Sequence, residues 1–383
     1  MNQHNVLCEK VVTSSGAAIG HISLNKPEAL NAIDLSMVNR IDSQLAEWAD
    51  DTDVVCILLD SAGEKAFCAG GDVVSMYKAM VQEPGKTPQF ITSFFTREYQ
   101  LDYRIHTYAK PIIAWGQGIV MGGGLGLFNG ASHRVVTATS RIAMPEITIG
   151  LYPDVGGSWF LNRMPGKCGL FLGLTGASIN AADALYTGLA DFYAGIHSSR
   201  ECLDALTNQN WPTGTMNTEQ RTEVHQRVSD VLMAFDNTSK TTLPSGHIQA
   251  LQSEIDKACS APSLSHIVTN IAAMPSGSDK WLSKAQKGLS SGSAITATII
   301  YQQLRNGESM KLAECFQMEL DMSCRCAEFG EFAEGVRALL IDKDMQPKWR
   351  YASTEQVPQS VTDWFFTSPW EAENHPLALL GVE

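Results

Sequence analysis

Two carboxylates stand eight residues apart, each directly after a proline, in Met144-Pro145-Glu146-Ile147-Thr148-Ile149-Gly150-Leu151-Tyr152-Pro153-Asp154-Val155-Gly156-Gly157. Apolar surroundings raise a carboxyl pKa, and two carboxylates that share a site push their pKa values apart. One base and one acid need that arrangement. Taken alone, Asp154 is also accounted for as a helix cap ahead of residues 158–163. Two glycine-rich segments precede the pair. Lys65-Ala66-Phe67-Cys68-Ala69-Gly70-Gly71-Asp72 sits between an apolar run and a helical pattern. Paired glycines let the backbone turn with positive φ, and amides exposed at a helix start suit an anion or a polarised carbonyl. A tight strand-to-helix turn explains the same residues. In Gly116-Gln117-Gly118-Ile119-Val120-Met121-Gly122-Gly123-Gly124-Leu125-Gly126, six glycines fall in eleven residues. Interior glycines cost roughly 0.5–1 kcal/mol each, so a backbone role is expected in preference to packing. A dinucleotide fingerprint fails on register, because Met121 or Leu127 takes the place of its last glycine.

Other chemistries find less support. Gly288-Leu289-Ser290-Ser291-Gly292 matches a serine-hydrolase elbow, with His375 downstream, but Trp281–Lys287 before it reads as helix where an elbow needs a strand. The nine histidines show no ligand spacing, and Cys324-Arg325-Cys326 is too close for zinc. No metal and no cofactor is expected.

The elements that must position these residues alternate in the first half. Ala18–Leu24 and Val54–Asp60 read as strands, and Met37, Ile41, Leu45 and Trp48 recur at helical spacing. Further strands are expected at 110–113, 135–138 and 142–144, with helices from about Val73 and over 89–108. Strands separated by helical crossovers imply a parallel sheet with helices outside. Past polar stretches at 207–220 and 236–246 the pattern is mainly helical: 220–235, 247–259, 280–289, 294–305 and 309–328. A boundary near 205 therefore divides an α/β region, 1–205, from a helical C-terminal region, 206–383, expected to cap the site. Trp364, Phe365, Phe366 and Trp370 suggest that the tail docks.

With 28 basic and 41 acidic residues the net charge is −13, which disfavours nucleic acid and anionic membranes as partners but not a phosphorylated ligand held by local groups. The nine scattered cysteines read as reduced core thiols. Met1–Asn5 carries no leader pattern and no apolar run reaches spanning length, so a cytoplasmic protein is expected.

In this order, and with Leu24-Asn25-Lys26-Pro27-Glu28-Ala29-Leu30-Asn31-Ala32 ahead of them, the segments resemble the crotonase (enoyl-CoA hydratase/isomerase) superfamily over about residues 6–200. The resemblance implies a ββα spiral core binding an acyl-CoA. One amide from each glycine loop, those of Gly71 and Gly123, would form an oxyanion hole, and backbone near Ala66, Ala69 and Gly71 would contact CoA. Hydratases of the superfamily carry a second glutamate where this chain has Gly126, so hydration is disfavoured and Glu146 stands without that partner. Pro153-Asp154-Val155-Gly156-Gly157, Phe94-Phe95-Thr96-Arg97-Glu98-Tyr99 and Phe332–Asp344 ending in Pro347-Lys348-Trp349 resemble the 3-hydroxyisobutyryl-CoA hydrolase branch. That likeness implies thioester hydrolysis in valine breakdown, with Glu146 and Asp154 catalytic and Glu98 a substrate contact. CoA then enters as part of the substrate. Ser291-Gly292-Ser293-Ala294 departs from the branch's Ser-Pro motif, which leaves acyl preference open. A homo-oligomer is compatible with the superfamily. An isomerase or hydratase of the same fold, and a CoA-binding regulator without turnover, are the alternatives; the regulator would lack the carboxylates, which are all present.

Overall fold

Val54–Ser61 is buried along its whole length, as a strand covered on both faces must be, and the principal sheet is built around it. The computed structural model describes residues 4–382. Met1–Gln3, part of the start read for a leader, lie outside them. Among the described residues nine strands are formed: β1 Val6–Val12, β2 Ala18–Leu24, β3 Val54–Ser61, β4 Ala66–Cys68, β5 Ile112–Gly116, β6 Ile119–Met121, β7 His133–Val136, β8 Arg141–Ala143 and β9 Phe192–Tyr193. The large sheet has the order β1-β2-β3-β5-β7-β9. β1 pairs antiparallel with β2, and every other pair is parallel, as the helical crossovers require. A second sheet runs β4-β6-β8. Past β9 the described residues form helices, turns and loops only, so the expected α/β class with a helical C-terminal region is the observed one.

Two compact units are present, and each draws on separated stretches of chain. One comprises residues up to Gly71, Leu101–Ile142 and Ile179–Gly246; the other comprises Asp72–Gln100, Ala143–Ser178 and the chain from His247 onward. In the first, Ile19, Val55, Leu58, Ile113, Trp115 and Val135 from the sheet pack with Leu203, Leu206, Val228 and Leu232 from helices Ser199–Thr207 and Thr218–Ser239. The helix Leu35–Asp50 belongs to the same unit. Asp34 starts it by accepting the N–H groups of Ser36 and Met37, both at 3.0 Å. Met37, Ile41, Leu45 and Trp48 are its buried face, as their spacing predicts.

The second unit is organised on Leu312–Phe329, whose buried side chains include Phe316, Glu319, Leu320 and Ser323. The tail docks there: Phe365 is buried against Phe329, with ring centroids 5.1 Å apart, and Arg325 Nε donates to Thr367 O at 3.0 Å. All nine cysteines are free thiols, eight of them buried. Among the described residues, no helix is long and apolar enough to cross a membrane.

Candidate functional site

β4 and β6 run parallel, with Ala66 opposite Ile119 and Cys68 opposite Val120, so the two glycine loops leave their strands side by side. A side chain on Gly70, where φ is +117°, would come within 3.5 Å of Met121 O and 3.9 Å of Gly123 N. Ile33 N–H donates to Gly70 O at 2.9 Å and holds the first loop in place. The N–H groups of Gly71 and Gly123 donate to no protein acceptor among the described residues. Gly123 is the first residue of the helix Gly123–Asn129, where no intrahelical acceptor exists. The loops therefore bring two unspent amides into one neighbourhood of the first unit.

Packing accounts for more of these glycines than expected from the sequence. A Cβ on Gly116 would lie 2.6 Å from the Phe128 ring, and one on Gly124 would lie 2.3 Å from Cys68 O. A backbone role is thus needed for only part of the run. Gly124→Ala is expected to cost about 1–3 kcal/mol of stability, since neither the carbonyl nor the helix start can yield. Urea unfolding measures it, and an unchanged midpoint would contradict this close approach.

Of the groups expected to touch CoA, Ala69 N–H donates to Leu30 O at 3.0 Å, and Ala66 O accepts from Asn31 Nδ2 and Ser61 Oγ, both at 3.0 Å. Those atoms already have protein partners.

Glu146, Asp154 and Glu98 belong to the second unit, and all three are buried. Glu146 opens the 3-10 turn Glu146–Ile149, directly after Pro145. Its Oε2 is buried and has no hydrogen-bond partner among the described residues. Burial first, and then the charge of Asp154, hold its pKa well above the carboxylate range. Burial likewise raises Asp154. The charge of Asp154 is thus felt at Glu146. Asp154 is not a helix cap: its Oδ2 meets Tyr99 Oη at 2.9 Å.

Glu319 serves as the cap instead. Its Oε2 and Oε1 accept the N–H groups of Gly156 and Ser158 at 2.7 and 2.8 Å. These bonds hold a turn in which Val155 has φ +50°, a conformation that costs a β-branched residue about 1–3 kcal/mol. Gln303 Nε2 adds a bond to Pro153 O at 2.6 Å. Tyr99 Oη also lies 2.8 Å from Ser323 Oγ, which lies 2.8 Å from Tyr152 Oη; Tyr152 in turn donates to Glu319 O. Tyr99, Tyr152, Ser323 and Glu319 did not stand out in the sequence. The usable signal was a glutamate and a serine four apart on the apolar face of one helix, with Phe316 and Met322.

Burial pushes Glu319 up to about 8, against the Ser158 hydroxyl and the two N–H groups that favour its anion. Between its ordinary 4.5 and about 8 the unfolded chain has released a proton that the fold retains, so this group makes stability fall as pH rises. Glu319→Gln sets an amide NH2 against one of two N–H donors and is expected to cost about 1–3 kcal/mol. The variant lacks the titration, so its deficit should shrink between pH 5 and pH 8. Denaturant unfolding at both values checks this, and a deficit that grows with pH contradicts it.

Ser290 Oγ is spent on Lys287 O of its own helix at 3.1 Å, and His375 faces Asp321 at 3.5 Å; the elbow geometry is not formed by these residues. Among the described residues no three His, Cys, Asp or Glu side chains are grouped to hold a metal ion.

Residues 19–366 match the enoyl-CoA hydratase/isomerase family profile. The chain is similar to proteins named "3-hydroxyisobutyryl-CoA hydrolase, mitochondrial". It is 37% identical to that of Danio rerio over 95% of this chain and 89% of the relative. To that of Homo sapiens it is 33% identical over 96% and 91%. Among solved structures it is similar to one described as an enoyl-CoA hydratase from Rhodobacter sphaeroides 2.4.1, with a TM-score of 0.80, 32% identity and coverage of 96% and 98%. Another, described as a carnitinyl-CoA dehydratase from Mycobacterium thermoresistibile, gives a TM-score of 0.79 at 28% identity, with both chains fully covered.

Proposed function

The chain belongs to the enoyl-CoA hydratase/isomerase family, and from that premise we propose that it hydrolyses 3-hydroxyisobutyryl-CoA to 3-hydroxyisobutyrate and CoA. The observation that carries this reading is the likeness, over nearly the whole chain, to relatives bearing that hydrolase name. The buried pair Glu146 and Asp154 supports it, because thioester hydrolysis needs an activated oxygen nucleophile and a proton for the leaving thiolate. So does Gly126, which puts no second carboxylate in the helix where hydratases of the superfamily carry one.

In this proposal the amides of Gly71 and Gly123 receive the thioester oxygen. Preorganised donors of this kind are each worth roughly 10²–10³ in kcat, because they strengthen as charge develops on the oxygen. Glu146 takes a proton from water as general base, or attacks the carbonyl to give an anhydride that water opens. Transfer of ¹⁸O from labelled water into the Glu146 carboxyl during one turnover marks the second route. Asp154 protonates the departing sulfur and orients the β-hydroxyl, and Glu98 contributes to the acyl or water site. Backbone at Ala66, Ala69 and Gly71 contacts CoA. No cofactor takes part beyond the CoA of the substrate. A cytoplasmic location belongs to the same proposal, although the relatives' printed names place them in mitochondria.

A second reading, hydration or isomerisation of an enoyl-CoA, is favoured by the description of the Rhodobacter structure. A panel of acyl-CoA substrates scored by kcat/KM decides. The proposal expects 3-hydroxyisobutyryl-CoA, with 3-hydroxypropionyl-CoA as its near neighbour, to lead in thiol release. Turnover confined to 2-enoyl-CoA without thiol release would overturn it.

A further inference from the structure

Four contacts join five buried groups of the second unit in a line. Asp154 Oδ2 meets Tyr99 Oη at 2.9 Å, Tyr99 Oη meets Ser323 Oγ at 2.8 Å, and Ser323 Oγ meets Tyr152 Oη at 2.8 Å; Tyr152 Oη meets the main-chain oxygen of Glu319. Each is at hydrogen-bond separation, so each needs a proton between its two oxygens. A buried contact without one sets lone pair against lone pair where water cannot intervene. The three hydroxyls bring three protons, and the carbonyl brings none. The fourth proton has one source within the line, the carboxyl of Asp154.

We propose that the hydroxyl line Tyr99–Ser323–Tyr152 holds Asp154 as its neutral acid. The three residues are then positioning residues that act on catalysis through Asp154. With that proton in place every hydroxyl points the same way: Asp154 donates to Tyr99, Tyr99 to Ser323, Ser323 to Tyr152, and Tyr152 to Glu319 O. With Asp154 ionised the line must turn round to face the carboxylate, and the Glu319 carbonyl is left opposite a phenol lone pair. The surroundings favour the same state. The ionisable groups that feel the charge of Asp154 are Glu146, Tyr99, Tyr152, Glu319 and Cys326, with Glu98 acting on Tyr99. None of these is cationic.

The catalytic consequence rests on the hydrolase reading above. A neutral Asp154 removes the like charge that opposes ionisation of Glu146, and it carries the proton the leaving sulfur needs. As the C–S bond breaks, the thiolate takes the Asp154 proton. The proton that leaves the attacking water for Glu146 then replaces it, and the acyl group departs as the acid. Protons balance over the cycle with no other reactant.

The test is the pH profile of kcat/KM for wild type, Ser323→Ala, Tyr152→Phe and Tyr99→Phe. Its alkaline limb reports loss of the acid's proton. Either Ser323→Ala or Tyr152→Phe leaves as many hydroxyl protons as contacts when Asp154 is ionised. Ionisation then forfeits no hydrogen bond, and the limb should move down by about one pH unit. Tyr99→Phe removes the donor that faces the carboxylate, so its limb should move up. Opposite signs are not expected from general loosening of the core. A limb unmoved in both Ser323→Ala and Tyr152→Phe, or displaced upward there as in Tyr99→Phe, would overturn the proposal. Infrared difference spectra of wild type against Asp154→Asn read the same proton without turnover. A protonated carboxyl C=O band assigned to Asp154 near neutral pH is expected, and its absence overturns the proposal even if a variant fails to fold. Lack of thiol release by wild type, with that band present, would remove the hydrolase reading and leave the protonation state standing.

Discussion

Glu146→Gln should lower thiol release from 3-hydroxyisobutyryl-CoA by roughly 10²–10⁴-fold while CoA still binds, the range lost with a general base; a lost nucleophile reaches further. The amide has the shape of the carboxylate, so the 3-10 turn Glu146–Ile149 and its apolar surroundings should persist. What disappears is an oxygen able to take a proton or form an acyl bond. The unpartnered Oε2 is open to a proton or a carbonyl carbon, since no protein donor has to be displaced from it. A thiol reagent measures turnover and calorimetric titration measures CoA binding. Near-wild-type turnover would remove Glu146 from the mechanism.

Asp154→Asn carries the second large effect, a fall of roughly 10²–10⁴-fold in kcat, because an amide cannot give a proton to sulfur. Its structural cost should be small. Asn Nδ2 can donate to Tyr99 and supply the proton that the hydroxyl line requires, so the urea midpoint should stay close to wild type. Because the hydroxyl line already keeps Asp154 neutral where Glu146 loses its proton, the neutral amide should leave the acid limb of the profile in place. A variant that unfolds readily and loses activity in proportion would point to a structural residue. A stable, inactive variant whose acid limb has not moved fits the neutral acid assigned here.

How much of this was legible in the sequence depended on how local each feature is. Val54–Ser61 announced itself through the run Val54–Leu59, since a parallel strand buried on both faces is nearly continuous in apolar residues. Helix Leu35–Asp50 was legible from one apolar face. Glu146 and Asp154 stood out because prolines and apolar neighbours are unusual company for surface acids. The groups that tune them were not legible. Ser323 lies 171 residues from Tyr152 and 224 from Tyr99, and only folding makes them neighbours. Glu319 was hidden for the same reason, since it caps a turn 163 residues away, and the only cap weighed there was the alternative account of Asp154. The glycine loop Gly116–Gly126 misled in part. Close approaches such as Gly124 to Cys68 O leave no trace in one chain's spacing, yet they demand glycine as firmly as a ligand does. Helix Leu264–Ala272 went unread because nine residues carry too few turns for a clear period.

The central claim is that the bond broken is the thioester C–S bond. It is tested most directly by quantifying all products from one incubation of the wild-type chain with 3-hydroxyisobutyryl-CoA. Free CoA and 3-hydroxyisobutyrate should appear in equal amounts, with no conjugated enoyl-CoA. Enoyl-CoA formed with the thioester intact, or substrate recovered unchanged from a chain that binds CoA, would contradict it.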